Sequence, residues 1–216
     1  MIISCCVLII FTFILIGSII YWSLKKDSKI SQNIAVFVGS FNPIHIGHKA
    51  IIDYLTQNFD WVYLFVTPRE FNGDKIKEDY STRLLEISNI MIENEYFNVT
   101  VEGVDSKYKN NSFIIKVLRN LKDLYPNNTF KFVLGADKLQ DIKEIESYQD
   151  ILTEFGVLVF PRNKCNSKKL QEIKNILVYD NENYKIDIIK VKTPNVSSSD
   201  IKRSANMGEN VDALLI

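Results

Sequence analysis

Histidine is nearly absent from this chain of 216 residues: there are two, His45 and His48, spaced three apart around Gly47. Cysteine is scarce as well. Cys5 and Cys6 sit in an apolar run and only Cys165 lies in the polar part, so no disulfide can close within that part, in keeping with a reducing compartment. Net charge is missing too, because 26 basic residues balance 26 acidic ones. That leaves no global field to attract nucleic acid or an anionic surface, and any phosphate binding has to be local. No internal repeat and no low-complexity tract is present. The length suits one well-buried core of roughly 150 to 200 residues with an appendage, and is short for two independent domains.

Charge is also lacking from residues 1–24, an apolar run that closes on Tyr21 and Trp22 and is followed by Lys25, Lys26 and Lys29. About 20 apolar residues span a bilayer. A cleaved signal peptide is the alternative, but the n-region carries no cation and no small-x-small cleavage site precedes the lysines. We therefore expect a single-pass transmembrane anchor over 1–24, a polar linker over 25–33 and one domain over 34–216, placed in the cytoplasm by the positive flank.

From residue 34 the pattern alternates. Apolar runs at 34–38, 61–67, 99–101, 130–134, 157–160 and 186–191 predict strands, and several of them, continuous in β-branched or aromatic residues, suit strands covered on both faces. Stretches with apolar spacing of three and four at 48–58, 81–93, 112–124, 138–155 and 168–174 predict helices. Strand, helix, strand in repetition implies right-handed crossovers, hence an α/β fold: a Rossmann-like open, mostly parallel sheet with helices on both faces. Ligands of such sheets bind beyond the carboxyl ends of the strands.

Three segments fall at such ends. The first, Gly39-Ser40-Phe41-Asn42-Pro43-Ile44-His45-Ile46-Gly47-His48, leaves a strand and opens a helix. Two imidazoles at a helix N-terminus can face one anion, with Gly39 allowing close backbone approach and Ser40 adding a hydroxyl. Capping and packing are the alternative role for the pair; a metal site is disfavoured because no Cys or carboxylate cluster accompanies it. The second segment carries Gly135 and Asp137, where Asp137 either accepts from a substrate hydroxyl or amide, or caps the helix. The third, Ser197-Ser198-Ser199-Asp200-Ile201-Lys202-Arg203, joins hydroxyls at a helix start to two cations one turn on, either a phosphate cradle or a solvated loop.

GSFNPIHIGH resembles the phosphate-binding signature of the HxGH nucleotidyltransferase superfamily, and its form is similar to that of the nicotinate and nicotinamide mononucleotide adenylyltransferases. GAD resembles that family's GxD motif, and VSSSDIKR its ISSTxIR motif, with Lys202 where the motif has Arg and Arg203 next to it. The resemblance runs from residue 34 to near the end. It implies an enzyme of NAD biosynthesis that transfers an adenylyl group from ATP, carried with Mg²⁺, to a pyridine mononucleotide. His45, His48, Lys202 and Arg203 would be the catalytic groups. Gly39, Ser40, Phe41, Gly47, Gly135, Asp137, Arg162, Ser198 and Ser199 would bind ATP, with Arg162 stacking on adenine. Tyr148, standing where relatives carry Trp, would offer an aromatic face to the pyridine, and Lys75 and Arg83 would lie near the substrates.

No Ser-His-Asp set, carboxylate pair or cysteine nucleophile is evident, so in-line attack without a covalent intermediate is expected. An anchor is unusual in that family and motivates an alternative, a cytidylyltransferase for phospholipid head groups. Its RTxGIST-like motif, however, is replaced here by VSSSDIK. A non-catalytic nucleotide-binding module is a third reading, which the intact His pair opposes. Relatives usually continue through a last helix beyond Gly208, so C-terminal packing that is either abbreviated or supplied by a second copy of the chain, a homo-oligomer, is a further expectation.

Overall fold

The computed structural model describes residues 31–68, 79–104, 113–161, 167–191 and 193–216. The expected anchor, Lys75, Cys165 and Arg162 lie outside the described residues. Among the described residues no helix is long and apolar enough to cross a membrane.

Six strands form one sheet: β1 Asn33–Gly39, β2 Trp61–Val66, β3 Val99–Gly103, β4 Thr129–Gly135, β5 Val157–Phe160 and β6 Ile186–Ile188. Their order is β3-β2-β1-β4-β5-β6, and every pairing is parallel. The order reverses between β1 and β4, and at that switch point adjacent crossovers leave on opposite faces, opening a crevice at the strand ends.

The helices are α1 Ile46–Asn58, α2 Tyr80–Glu93, α3 Phe113–Leu124, the short α4 Ala136–Gln140 and α5 Tyr148–Asp150, then α6 Ser167–Asp180 and α7 Ser198–Asn206. The two-residue period of β1 divides the core. Ile34, Val36 and Val38 face Ile114, Leu118 and Leu121 of α3, whereas Ala35 and Phe37 face Ile51, Ile52 and Leu55 of α1 and Ile87 and Met91 of α2. Burial on both faces is why the inner strands β1 and β5 read as unbroken apolar runs, whereas the edge strands β3 and β6 are only partly covered and carry polar residues.

Five strands lie within two residues of their expected positions at either end, while the run 186–191 shortens to Ile186–Ile188. The single helix expected over 138–155 is a correction. It is broken into α4, a 3-10 turn at Ile142–Glu144, α5 and a π-turn at Ile151–Phe155, with Ser147 left-handed at φ 60°. Ile142, Ile145, Ile151 and Leu152 are all buried in the α3-side core. Their spacing fits a helix, but the chain satisfies it by re-aiming short turns along the sheet.

Candidate active site

The carboxyl ends of β1 and β4 open into a cleft of about 400 Å³. Gly39, Ser40, Phe41, His45 and His48 line one wall, Gly135 and Asp137 a second, and Ser198 and Ser199 a third. The three sequence segments thus converge on one space, and the topology explains why. β1 and β4 are neighbours across the switch point, and α7 returns with its N-terminus over it.

The histidine turn is built around His45, which is fully buried. It is the N-cap of α1, with extended backbone (φ −151°, ψ 169°), and its Nδ1 accepts from the N–H groups of Gly47 at 3.1 Å and His48 at 3.4 Å. An acceptor Nδ1 carries no proton, so the neutral ring bears its hydrogen on Nε2 and can donate from there. The His48 ring stacks on that of His45, with centroids 3.7 Å apart, and the edge contact of Phe41 with His48 (5.0 Å) fixes the other side. Gly47 is required by space. A Cβ there would lie 2.9 Å from His45 Cε1 and 3.1 Å from Val196 Cγ1. Phe41 adopts φ 46°, which brings its buried ring over Gly39 and against Phe37. The alternatives left open for the pair are therefore combined: His45 caps and packs through Nδ1, yet both rings line the cleft.

At the second wall Gly135, not Asp137, is the N-cap of α4; Asp137 stands in the first turn with its carboxyl exposed at the cleft. At the third, Ser197 caps α7 by accepting from the Asp200 N–H at 3.1 Å and donates to Asp200 Oδ2 at 2.6 Å. Ser198 donates to the Pro43 carbonyl at 3.1 Å, tying α7 to the histidine turn.

Other expected residues stand elsewhere. Arg83 is almost wholly buried and braces the framework: Nη1 donates to the Ser40 carbonyl and Nη2 to the Thr67 carbonyl at 3.0 Å. Tyr148 packs its ring against Tyr184 (6.4 Å between centroids) beside the α3-side core and does not line the cleft. Lys202 and Arg203 sit on α7 beyond the cleft wall, where Arg203 Nη2 donates to Asp200 Oδ1 at 2.7 Å. Of the polar residues that line the cleft, Lys138 was missed in the sequence and Ser197, though part of the hydroxyl run, was not singled out as a contact; the apolar lining of Phe37, Val38, Ile51, Val133 and Leu134 was not singled out either. Lys138 adjoins Asp137 and was legible as a cation in a motif; Ser197 was legible as the hydroxyl that opens an SSS run.

A sequence model of the cytidylyltransferase-like family matches residues 36–204. A protein of Flavobacterium psychrophilum named probable nicotinate-nucleotide adenylyltransferase is 28% identical over 188 residues, covering 85% of this chain and 92% of its own. One of the same name from Azobacteroides pseudotrichonymphae is 32% identical over 142 residues, covering 63% of this chain and 72% of its own. In structure, the nicotinic acid mononucleotide adenylyltransferase of Plasmodium falciparum, solved with NaAD, superimposes with a TM-score of 0.66 at 18% identity, over 84% of this chain and 87% of that one, which establishes likeness of fold. With the three motifs gathered in one cleft and these relatives spanning most of the chain, the protein belongs to the cytidylyltransferase-like family of nucleotidyltransferases, on its nicotinate-nucleotide adenylyltransferase branch.

Proposed function

We propose that the chain transfers the adenylyl group of ATP to nicotinate mononucleotide, giving the deamido dinucleotide of NAD biosynthesis and pyrophosphate. The observation that carries this is the convergence of His45, His48, Asp137, Ser198 and Ser199 on one cleft at the switch point of the sheet. A phosphate oxygen of the mononucleotide attacks the α-phosphorus of ATP in line. The bond from that phosphorus to the bridging oxygen breaks, and pyrophosphate leaves with the electron pair. Charge grows on the leaving group, and donors fixed before the reaction stabilise it without reorganising. Nε2–H of His45 and the His48 ring serve there, with the α7 hydroxyls and, by extension of their flexible side chains, Lys202 and Arg203. Asp137 accepts from the ribose.

Mg²⁺ enters as part of the MgATP substrate. Asp137 is the sole carboxylate among the described residues lining the cleft, so the ion's oxygen ligands come mainly from the phosphates. Nicotinate is preferred to nicotinamide here because the curated relatives carry that name; Lys75 and Arg162 are proposed to contact the substrates. The apolar run 1–24 supports a membrane tether with the catalytic domain in the cytoplasm, tested by extraction of the full chain from membranes at alkaline pH. A homo-oligomer is tested by sedimentation in the same detergent.

The deciding experiment measures pyrophosphate release by the full chain in detergent, with MgATP and either pyridine mononucleotide, and with CTP and phosphocholine in parallel. Turnover with nicotinate mononucleotide that disappears in His48→Ala supports the proposal. Turnover with CTP alone refutes it.

A further inference from the structure

The histidine turn is held from three directions. Arg83 grips the Ser40 carbonyl and Ser198 the Pro43 carbonyl. The third hold comes from the far end of the chain, where Leu215 pairs with His45 as an isolated antiparallel β-bridge. The segment that delivers Leu215 is stapled locally. Asp212 N–H donates to Asn210 Oδ1 at 2.8 Å, Leu214 N–H to the Val211 carbonyl at 2.8 Å and Leu215 N–H to the Asp212 carbonyl at 3.2 Å. Leu215 and Ile216 then wall a second cavity of about 440 Å³ at the back of the turn, opposite Phe41, Ile44 and Arg83, and Ile216 packs on the core that also holds Phe41, Ile44 and Ile51.

This bridge falls on a residue whose backbone sets the geometry of the cleft. His45 is extended, the conformation that strand pairing favours, and the next residue is already helical. A hinge-like rotation at His45 would swing its ring off the N–H groups of Gly47 and His48 and out of the stack with His48. We propose that the C-terminal segment is a positioning element for catalysis: by pairing with His45 it fixes that backbone, and with it the place of the His45 ring in the cleft wall. The proposal rests on the adenylyl-transfer reading for its kinetic consequence but not for its structural one.

The test uses the full chain in detergent, with residues 215–216 deleted, and with the milder Leu215→Gly and the conservative Leu215→Val. Because the chain has two histidines, both in this turn, ¹⁵N-detected imidazole signals report on it without ambiguity. The deletion is expected to move the His45 signals from a single Nε2–H tautomer toward a tautomer average. It should lower kcat about 10- to 100-fold, the scale of a misplaced catalytic group, with KM for ATP within about threefold. Leu215→Gly should show a smaller change of the same kind, and Leu215→Val should restore both readouts, because a β-branched residue keeps the extended pairing. Unchanged imidazole signals in the deletion overturn the proposal, as does a kcat that falls only in step with thermal unfolding. If the deletion unfolds, Leu215→Gly read below its melting temperature decides in the same terms. Absence of turnover in the unaltered chain would remove the adenylyl-transfer reading, while the imidazole signals would still decide this one.

Discussion

Gly47→Ala separates activity from stability more sharply than removal of a catalytic group does. The added methyl would sit 2.9 Å from His45 Cε1 and 3.0 Å from its Nδ1, with Val196 Cγ1 at 3.1 Å on another side, whereas ordinary contact begins at 3.4 Å. Closing the gap between 2.9 and 3.4 Å moves the imidazole by about half an ångström, and Val196 prevents the methyl from yielding instead. The two N–H···Nδ1 contacts of the cap lengthen, and the 3.7 Å stack with His48 is disturbed. Loss of a cap costs about 1 kcal/mol, while replacing a helical glycine by alanine gains about 1 kcal/mol, so the two nearly cancel and stability should change by less than about 1 kcal/mol. Catalysis has no such offset. Displacement on this scale lowers kcat about 10- to 100-fold, or about 1.4 to 2.7 kcal/mol in the barrier. Pyrophosphate release gives kcat, and a thermal melt of the same sample gives stability. A kcat within threefold of the unaltered chain, or a melting temperature that collapses along with the activity, would refute the reasoning.

Arg83→Ala should behave in the opposite way. It leaves the Ser40 and Thr67 carbonyls without their guanidinium donor in a buried site and should cost about 3 kcal/mol in urea unfolding; Arg83→Lys should recover only part, since one ammonium replaces a planar fork that spans two carbonyls. On the surface, Arg119 bridges Glu154 and Asp150, and its hydrogen bond to Glu154 holds that carboxyl below the usual range. A depressed carboxyl pKa adds stability in full above the unfolded value, and that contribution is lost as pH falls through the folded one. Arg119→Ala should therefore cost at most about 1 kcal/mol near neutral pH, and its difference from the unaltered chain should close below about pH 4. A gap that stays constant between pH 7 and pH 3 would exclude this origin.

The sequence by itself determined the parts that depend on local backbone chemistry. Strands buried on both faces announce themselves as apolar runs. A Gly-Ser start, a cap and a His pair at one turn mark a candidate anion-binding helix start before any tertiary contact is known. The SSS run likewise marks the beginning of α7. What the tertiary structure alone decided is which of these meet and which charged side chains are already engaged. Reversal of strand order between β1 and β4 brings Asp137 and the histidines to one cleft, a consequence of topology that no window of sequence contains.

The same holds for Arg83. The resemblance places it near the substrates, but the fold places two carbonyls from separate strand ends within its reach, and it becomes a brace. Tyr148 follows an apolar spacing that fits one long helix; the break at Ser147 sends its ring to Tyr184 instead of the cleft. Leu215 carries no motif at all. Its pairing with His45 exists only because the sheet brings the chain's far end behind the histidine turn, where an extended residue offers backbone that another extended residue can pair.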